Sequence, residues 1–177
     1  MNKKQIAINI LARADSTLYF LEHALKFSGM KANDVAWQRS ILIMLSYAFE
    51  LIVKSEIVFT SKNTELDDID KELKSFGHNI QQILCELDKR KSLLLMEING
   101  YKINNNGSFR QYTITFEDRR EIIVEDFVDI RYDYIKTALR NITDHDIVIG
   151  YIDKILELSK NVSAREGSSF TVRAASL

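Results

Sequence analysis

The segment ILIMLSYAFELIV, from Ile41 to Val53, is the longest apolar stretch of the 177-residue chain. Apolar residues cover most sides of the helix that it would form, and Glu50 is its one charged residue. It is shorter than the roughly 20 residues that a helix needs to cross a bilayer. The segment therefore predicts a helix buried at the centre of a soluble domain, and we expect the other elements to pack around it.

Further helices are predicted on both sides of this one, because apolar residues recur there at spacings of three and four. The chain contains no proline, so glycine, asparagine and polar clusters must end these helices. The predicted segments are 4–27, ending near Gly29; about 33–59, capped by Asn33 or Asp34; about 64–87, capped by Thr64 or Asp67 and interrupted at Gly77; one starting near Glu125; and a last one ending near Asn161.

A different pattern appears between about Leu95 and Val128. The stretches MEINGYKI, FRQYTITF and EIIVEDF alternate apolar and polar residues, as strands with one buried face do. We predict an antiparallel insertion of two or three strands at about 96–124, with a turn at Asn104–Gly107. The fold class is then mainly α, a four- to five-helix up-and-down bundle with a small β-hairpin insertion. Residues 1–163 form one domain, and residues 164–177 form a flexible tail.

Composition limits the function. The 24 basic and 25 acidic side chains nearly cancel, so RNA binding would require a local patch or an oligomer. Cys85 is the only cysteine, which excludes an internal disulfide and a cysteine-based zinc site. We expect no metal and no cofactor. The first residues lack an uninterrupted apolar core of the signal-peptide type, and we expect a cytoplasmic protein without membrane contact.

Several polar residues stand beside apolar helical stretches. Glu50 and Lys54 are spaced i,i+4, which suits either an ion pair at the edge of the core or a polar cluster inside the bundle. His78 is either a hydrogen-bonded packing residue or an acid–base group. Arg131, next to Tyr132, can pair with Glu50 or hold a phosphate. We predict that Glu50, Lys54, His78 and Arg131 lie within hydrogen-bonding reach of one another.

The stretch RNITDH, from Arg140 to His145, has two compatible interpretations. In the structural one, Arg140 and Asn141 end a helix, and Thr143 with Asp146 forms a capping box that starts the next. In the functional one, His145 is a neutral general base at the positive end of that helix, and Arg140 neutralises charge on a phosphate. This second arrangement suits metal-independent RNA cleavage with the 2′-hydroxyl as nucleophile.

Together these residues resemble the HEPN superfamily of small prokaryotic helical domains. The resemblance covers roughly residues 36–160 and lies in the order Glu50-x-x-x-Lys54, then Gly77-His78-Asn79-Ile80, then Arg131-Tyr132. Many members are ribonucleases of toxin–antitoxin, stress or phage-defence systems, with an R-x(4–6)-H motif that Arg140, Asn141 and His145 match. The resemblance implies these as catalytic residues, with a homodimer, an RNA substrate and an antitoxin or effector partner. The alternative is a non-catalytic interaction module that binds through Glu50, Lys54, His78, Arg131 and Tyr132.

Overall fold

The computed structural model describes residues 2–27, 35–106, 109–126 and 145–165. Helices make up most of the described chain, and the strands form one antiparallel sheet in the order β1-β2-β3. This confirms the predicted fold class. The elements are α1 (Lys3–Phe27), α2 (Val35–Thr60), α3 (Leu66–Phe76), α4 (Ile80–Lys89), a 3₁₀ helix (Leu93–Met96), β1 (Ile98–Asn106), β2 (Phe109–Phe116), β3 (Glu121–Glu125) and α5 (His145–Arg165).

Helix α2 contributes more buried apolar side chains than any other described element, as its apolar sequence predicts. It packs antiparallel against α1: the Lys3 ammonium donates to the carbonyl oxygen of Phe59 at 3.2 Å, and the Ser55 hydroxyl donates to that of Ala7 at 3.2 Å. The buried apolar residues of α2 are Ile41, Leu42, Leu45, Ala48, Phe49, Leu51, Ile52, Val53, Ile57 and Val58.

The predicted interruption at Gly77 separates α3 from α4. Gly77 has φ +55°, a conformation that glycine adopts without steric cost. The predicted cap of α3 was wrong in both its candidates: the helix begins at Leu66, and Glu65 occupies the capping position without a side-chain capping bond. Acidic residues in the first turn, among them Asp67, instead complement the helix dipole.

Strand β1 extends into the segment that was predicted to form the first turn. Residues Asn104 to Asn106 belong to β1, and Asn106 pairs with Phe109, so these asparagines do not form the turn. Backbone pairing continues through them because strand hydrogen bonds use main-chain groups and not side chains. Gly107, the last residue of the predicted turn, lies outside the described residues.

The buried face of the sheet packs on α2, and Asp126, at the C-terminal end of β3, caps α4. Asp126, directly after β3, accepts a hydrogen bond from the Ile80 backbone N–H at 2.9 Å and one from the Tyr112 hydroxyl at 3.0 Å. Burial and the neighbouring Asp126 carboxylate raise the pKa of Tyr112, which keeps its hydroxyl a donor. One residue earlier, the Glu125 N–H donates to the Ser46 hydroxyl at 2.9 Å. The insertion is therefore tied to both α2 and α4.

Helix α5 lies against α1 and α2 and is longer than predicted at its C-terminal end. Its buried stripe continues through Leu158 to Val162, and the helix reaches Arg165, past the expected end near Asn161 and two residues into the expected tail. Glu125 belongs to β3, so the helix predicted from that point does not begin there, and residues 127–144 lie outside the described residues. In the ranges that the structure describes, none of the helices has the length and apolarity to span a bilayer.

Candidate functional site

The structure brings three of the predicted polar residues together. Glu50 of α2 contacts both Lys54 of the same helix and His78 of the α3–α4 break, and we call these three residues the Glu50 cluster. Of the other predicted site residues, Arg131, Tyr132, Arg140 and Asn141 lie outside the described residues. His145 is the first residue of α5, and its side chain also lies outside the described part.

Glu50 is a buried carboxylate, with only 1% of its surface exposed. Its Oε1 atom lies 2.7 Å from the Lys54 ammonium, and its two oxygens lie 3.0 and 3.1 Å from the Nδ1 atom of His78. A charge this far from solvent is tolerated only when paired and hydrogen-bonded, and these two neighbours meet that requirement. The i,i+4 spacing thus corresponds to a polar cluster inside the bundle.

Lys54 connects the cluster to the break between α3 and α4. Its ammonium donates to the Gly77 carbonyl oxygen at 2.5 Å in addition to its contact with Glu50. The last carbonyl groups of a helix lack partners within that helix. Lys54 of α2 reaches the end of α3 and supplies a donor for one of them. Lys54 therefore fixes where the chain turns from α3 into α4.

His78 carries the part of the cluster that reaches the surface, with 37% of its side chain exposed. An ionised carboxylate only accepts hydrogen bonds, so the Nδ1 atom of His78 must carry the proton that faces Glu50. The following residue, Asn79, accepts a hydrogen bond from the Gln82 N–H and caps α4. A histidine oriented by a buried carboxylate can serve as an acid–base group or as a ligand contact.

The exposed side of His78 borders an open cavity of about 300 Å³ between α1, α2 and α3. Its lining includes the aliphatic side chains of Ile10, Leu51 and Leu73. Lys54, Lys74 and His78 also line it. The cavity lining thus combines aliphatic and basic side chains.

A second polar cluster, which the sequence did not predict, joins the β2–β3 turn to α5. Lys154 of α5 is 5% exposed and lies 2.7 Å from Asp118 and 3.0 Å from Glu157. Arg120 contacts Asp118 at 2.6 Å and Glu157 at 2.5 Å. Hydrogen bonds from Arg120 and Lys154 lower the pKa of Asp118. The i,i+3 spacing of Lys154 and Glu157 is visible in the sequence, whereas their pairing with a distant turn is not.

A third cluster surrounds Glu72 of α3. Its carboxylate accepts hydrogen bonds from Ser61 at 2.5 Å, from Asn63 at 3.2 Å and from the Arg90 guanidinium. Arg90 also donates to the Ile57 carbonyl oxygen at 3.1 Å. This cluster joins the end of α2 to α3 and to the end of α4, so we assign it a structural role.

Within the described ranges, no group of three or more His, Cys, Asp or Glu side chains is placed to hold a metal ion. Comparison of the chain with protein-family models, with curated proteins and with solved structures finds no match. Any functional assignment therefore rests on the residues themselves and on the geometry around them.

Proposed function

We propose that the chain is a HEPN-type, metal-independent endoribonuclease whose site is formed by Arg140, Asn141 and His145. The sequence carries this proposal, because Arg140, Asn141 and His145 match the family motif position for position, and α5 is described from His145 onward. We infer that RNITDH ends at the N-terminus of that helix, where unpaired N–H groups and the helix dipole would attract a phosphate. The contact among Glu50, Lys54 and His78 also supports it, because these residues belong to the same family resemblance.

In this proposal His145 acts as the general acid/base. It takes the proton of a ribose 2′-hydroxyl, and the resulting oxygen attacks the adjacent phosphorus while the bond to the 5′-oxygen of the next nucleotide breaks. The protonated His145 then gives its proton to that 5′-oxygen. The products are a 2′,3′-cyclic phosphate and a free 5′-hydroxyl. Arg140 neutralises the charge that develops on the phosphate, and Asn141 orients it.

The proposal extends to assembly and context. Two copies of the chain would place their RNITDH stretches on a shared RNA-binding surface, where two Arg140 side chains could contact the phosphate backbone. A cytoplasmic role in stress, toxin–antitoxin or phage-defence systems, under control of an antitoxin or effector, is part of the same proposal.

The test is cleavage of a labelled RNA by purified protein in the presence of EDTA. We expect His145→Ala and Arg140→Ala to lower the cleavage rate by about 100-fold or more. The matched controls are His23→Ala and Arg13→Ala, which change exposed residues of α1. Both controls should cut at the wild-type rate, and all four variants should keep the wild-type circular dichroism spectrum. Cleavage by His145→Ala at the wild-type rate would refute the assignment.

A second candidate is a non-catalytic binding module that uses the Glu50 cluster. The observation in its favour is that Lys54 and His78 border the open cavity. Expression in cells separates the two candidates. A ribonuclease should arrest growth and degrade cellular RNA on a gel unless Arg140 or His145 is replaced, whereas a binding module should leave RNA intact in every case.

A further inference from the structure

The cavity beside the Glu50 cluster has an uneven distribution of charge. Two lysines and a histidine line it, and no carboxylate does. Glu50 lies behind Lys54 and His78, with 2% of its side chain exposed, so its charge is directed into the bundle. The surface offered to a ligand is therefore mostly aliphatic, with basic side chains beside it and no carboxylate.

Lys54 has the geometry to bind a ligand in this cavity. An ammonium carries three N–H donors. Among the residues that the structure describes, its contacts with Glu50 and Gly77 engage two of them. Only 15% of the side chain is exposed, and the two contacts hold it in place, so little side-chain entropy is lost when its third donor meets an acceptor.

Lys74 supplies a second, adjustable positive charge in the same lining. Its side chain is 75% exposed and pairs with Asp70 one turn earlier on α3. Exposed pairs of this kind contribute little to stability, so Lys74 can turn from Asp70 toward a stronger acceptor at small cost. Lys54 and Lys74 both line the cavity, so both can contact an oxyanion bound there.

We propose that this cavity binds a small molecule that joins an oxyanion group, either a carboxylate or a phosphate, to an apolar body. The oxyanion contacts Lys54 and Lys74, and the apolar body packs on Ile10, Leu51 and Leu73. None of these residues is assigned to RNA cleavage, so the site is independent of the proposed ribonuclease activity. It gives the second candidate function a ligand class.

The test is calorimetric titration of the full chain with octanoate, octyl phosphate, octan-1-ol and inorganic phosphate. We expect saturable binding of octanoate or octyl phosphate at one site per chain, and weaker binding of octan-1-ol and of inorganic phosphate, which each lack half of the recognised chemistry. The tighter of the two amphiphilic ligands identifies the preferred oxyanion. In a heteronuclear NMR spectrum, the backbone amide of Gly77 should shift on titration.

Two charge reversals on α3 provide a matched comparison. Lys74→Glu should weaken binding by about fivefold or more, because the loss of one well-placed ion pair corresponds to roughly that factor. Lys71→Glu changes a lysine that is equally exposed, paired with Asp68 and outside the cavity lining, and it should leave the affinity unchanged.

Three results would overturn the proposal. They are the absence of saturable binding of both amphiphilic anions, an equal loss of affinity in Lys74→Glu and Lys71→Glu, and binding of octan-1-ol as tight as that of octanoate. Both substitutions change exposed residues, so the folded state of each variant can be verified by circular dichroism before the titration.

Discussion

Two Glu–Lys pairs with the same i,i+4 spacing differ in how far solvent reaches them. In the pair Glu22–Lys26 on α1, the lysine side chain is 53% exposed, whereas in the pair Glu50–Lys54 the lysine is 15% exposed and the glutamate 2%. Water screens the first pair and hardly reaches the second. Spacing alone therefore predicts contact, and burial determines its energetic consequence.

Replacement of Lys54 tests this difference. Lys54→Met would leave the Glu50 carboxylate buried with His78 as its remaining partner in the cluster, and we expect the free energy of unfolding to fall by about 3 kcal/mol. Lys26→Met, the matched control, should change it by less than about 0.5 kcal/mol. Urea denaturation followed by circular dichroism measures both values, and equal effects would contradict the assignment of Glu50 and Lys54 to the core.

The sequence predicted part of the candidate site at this scale. The contact of Glu50 with Lys54 follows from helical periodicity, whereas that of Glu50 with His78 joins residues 28 positions apart, which helical periodicity cannot predict. Neither periodicity nor resemblance indicated that Lys154 would contact Asp118, because that contact depends on how a β-turn packs against a helix. Local spacing predicts local pairs, and tertiary packing determines the others.

At the scale of the secondary-structure elements, Gly77 determines that α3 and α4 are two helices. Its φ of +55° with ψ of −122° is a combination that residues with a Cβ atom rarely adopt. A Cβ atom added there would meet nothing within 4 Å, so the requirement for glycine comes from the backbone and not from crowding. The break in turn places His78 beside Glu50.

Two glycine substitutions should have opposite effects. Gly77→Ala should lower the free energy of unfolding by about 1–3 kcal/mol, because alanine is strained at this φ. Gly150→Ala, inside α5, should raise it by about 0.5–1 kcal/mol, because alanine favours a helix and the added Cβ atom meets nothing within 4 Å. Thermal denaturation gives both signs, and a stabilising Gly77→Ala would contradict the backbone argument.

Element types were easier to predict than element ends. Alternation in FRQYTITF correctly predicted β2, in which Tyr112, Ile114 and Phe116 are buried. The caps and turns were less predictable: Glu65 precedes α3 without a capping bond, and three asparagines extend β1. Side-chain preferences for caps and turns are weak, and tertiary contacts override them.

At the scale of the whole molecule, ionised carboxylates join elements that are distant in sequence. Glu72 links α3 to the end of α4 through Arg90, and Asp118 links the sheet to α5 through Lys154. Burial opposes ionisation of Glu72, but hydrogen bonds from Ser61 and Arg90 outweigh it and lower its pKa. Stability should therefore depend on the ionisation of these groups.

The expected pH dependence follows from the direction of these shifts. A carboxylate whose pKa is lowered by folding stabilises the protein above its unfolded pKa, near 4.5 for glutamate, and this stabilisation is lost as the pH falls through the folded value. We expect the free energy of unfolding to decrease below about pH 4.5 and Glu72→Gln to reduce that slope. Glu117→Gln, an exposed position in the β2–β3 turn, should keep the wild-type slope. Urea titrations between pH 3 and 7 measure it, and identical slopes in all three proteins would refute the role of Glu72.

The capping of α4 by Asp126 also constrains the order in which the chain folds. The acceptor for the Ile80 N–H lies 46 residues further along the chain, so this hydrogen bond of the first turn of α4 can form only when the segment after β3 has docked. Helix and sheet then gain stability together, and amide hydrogen exchange at Ile80 should report unfolding of the sheet as well as of the helix. The β insertion is therefore not an independent module. Its deletion would take the acceptor away from the Ile80 N–H, and the remaining helices would lose a hydrogen bond that completes their own assembly.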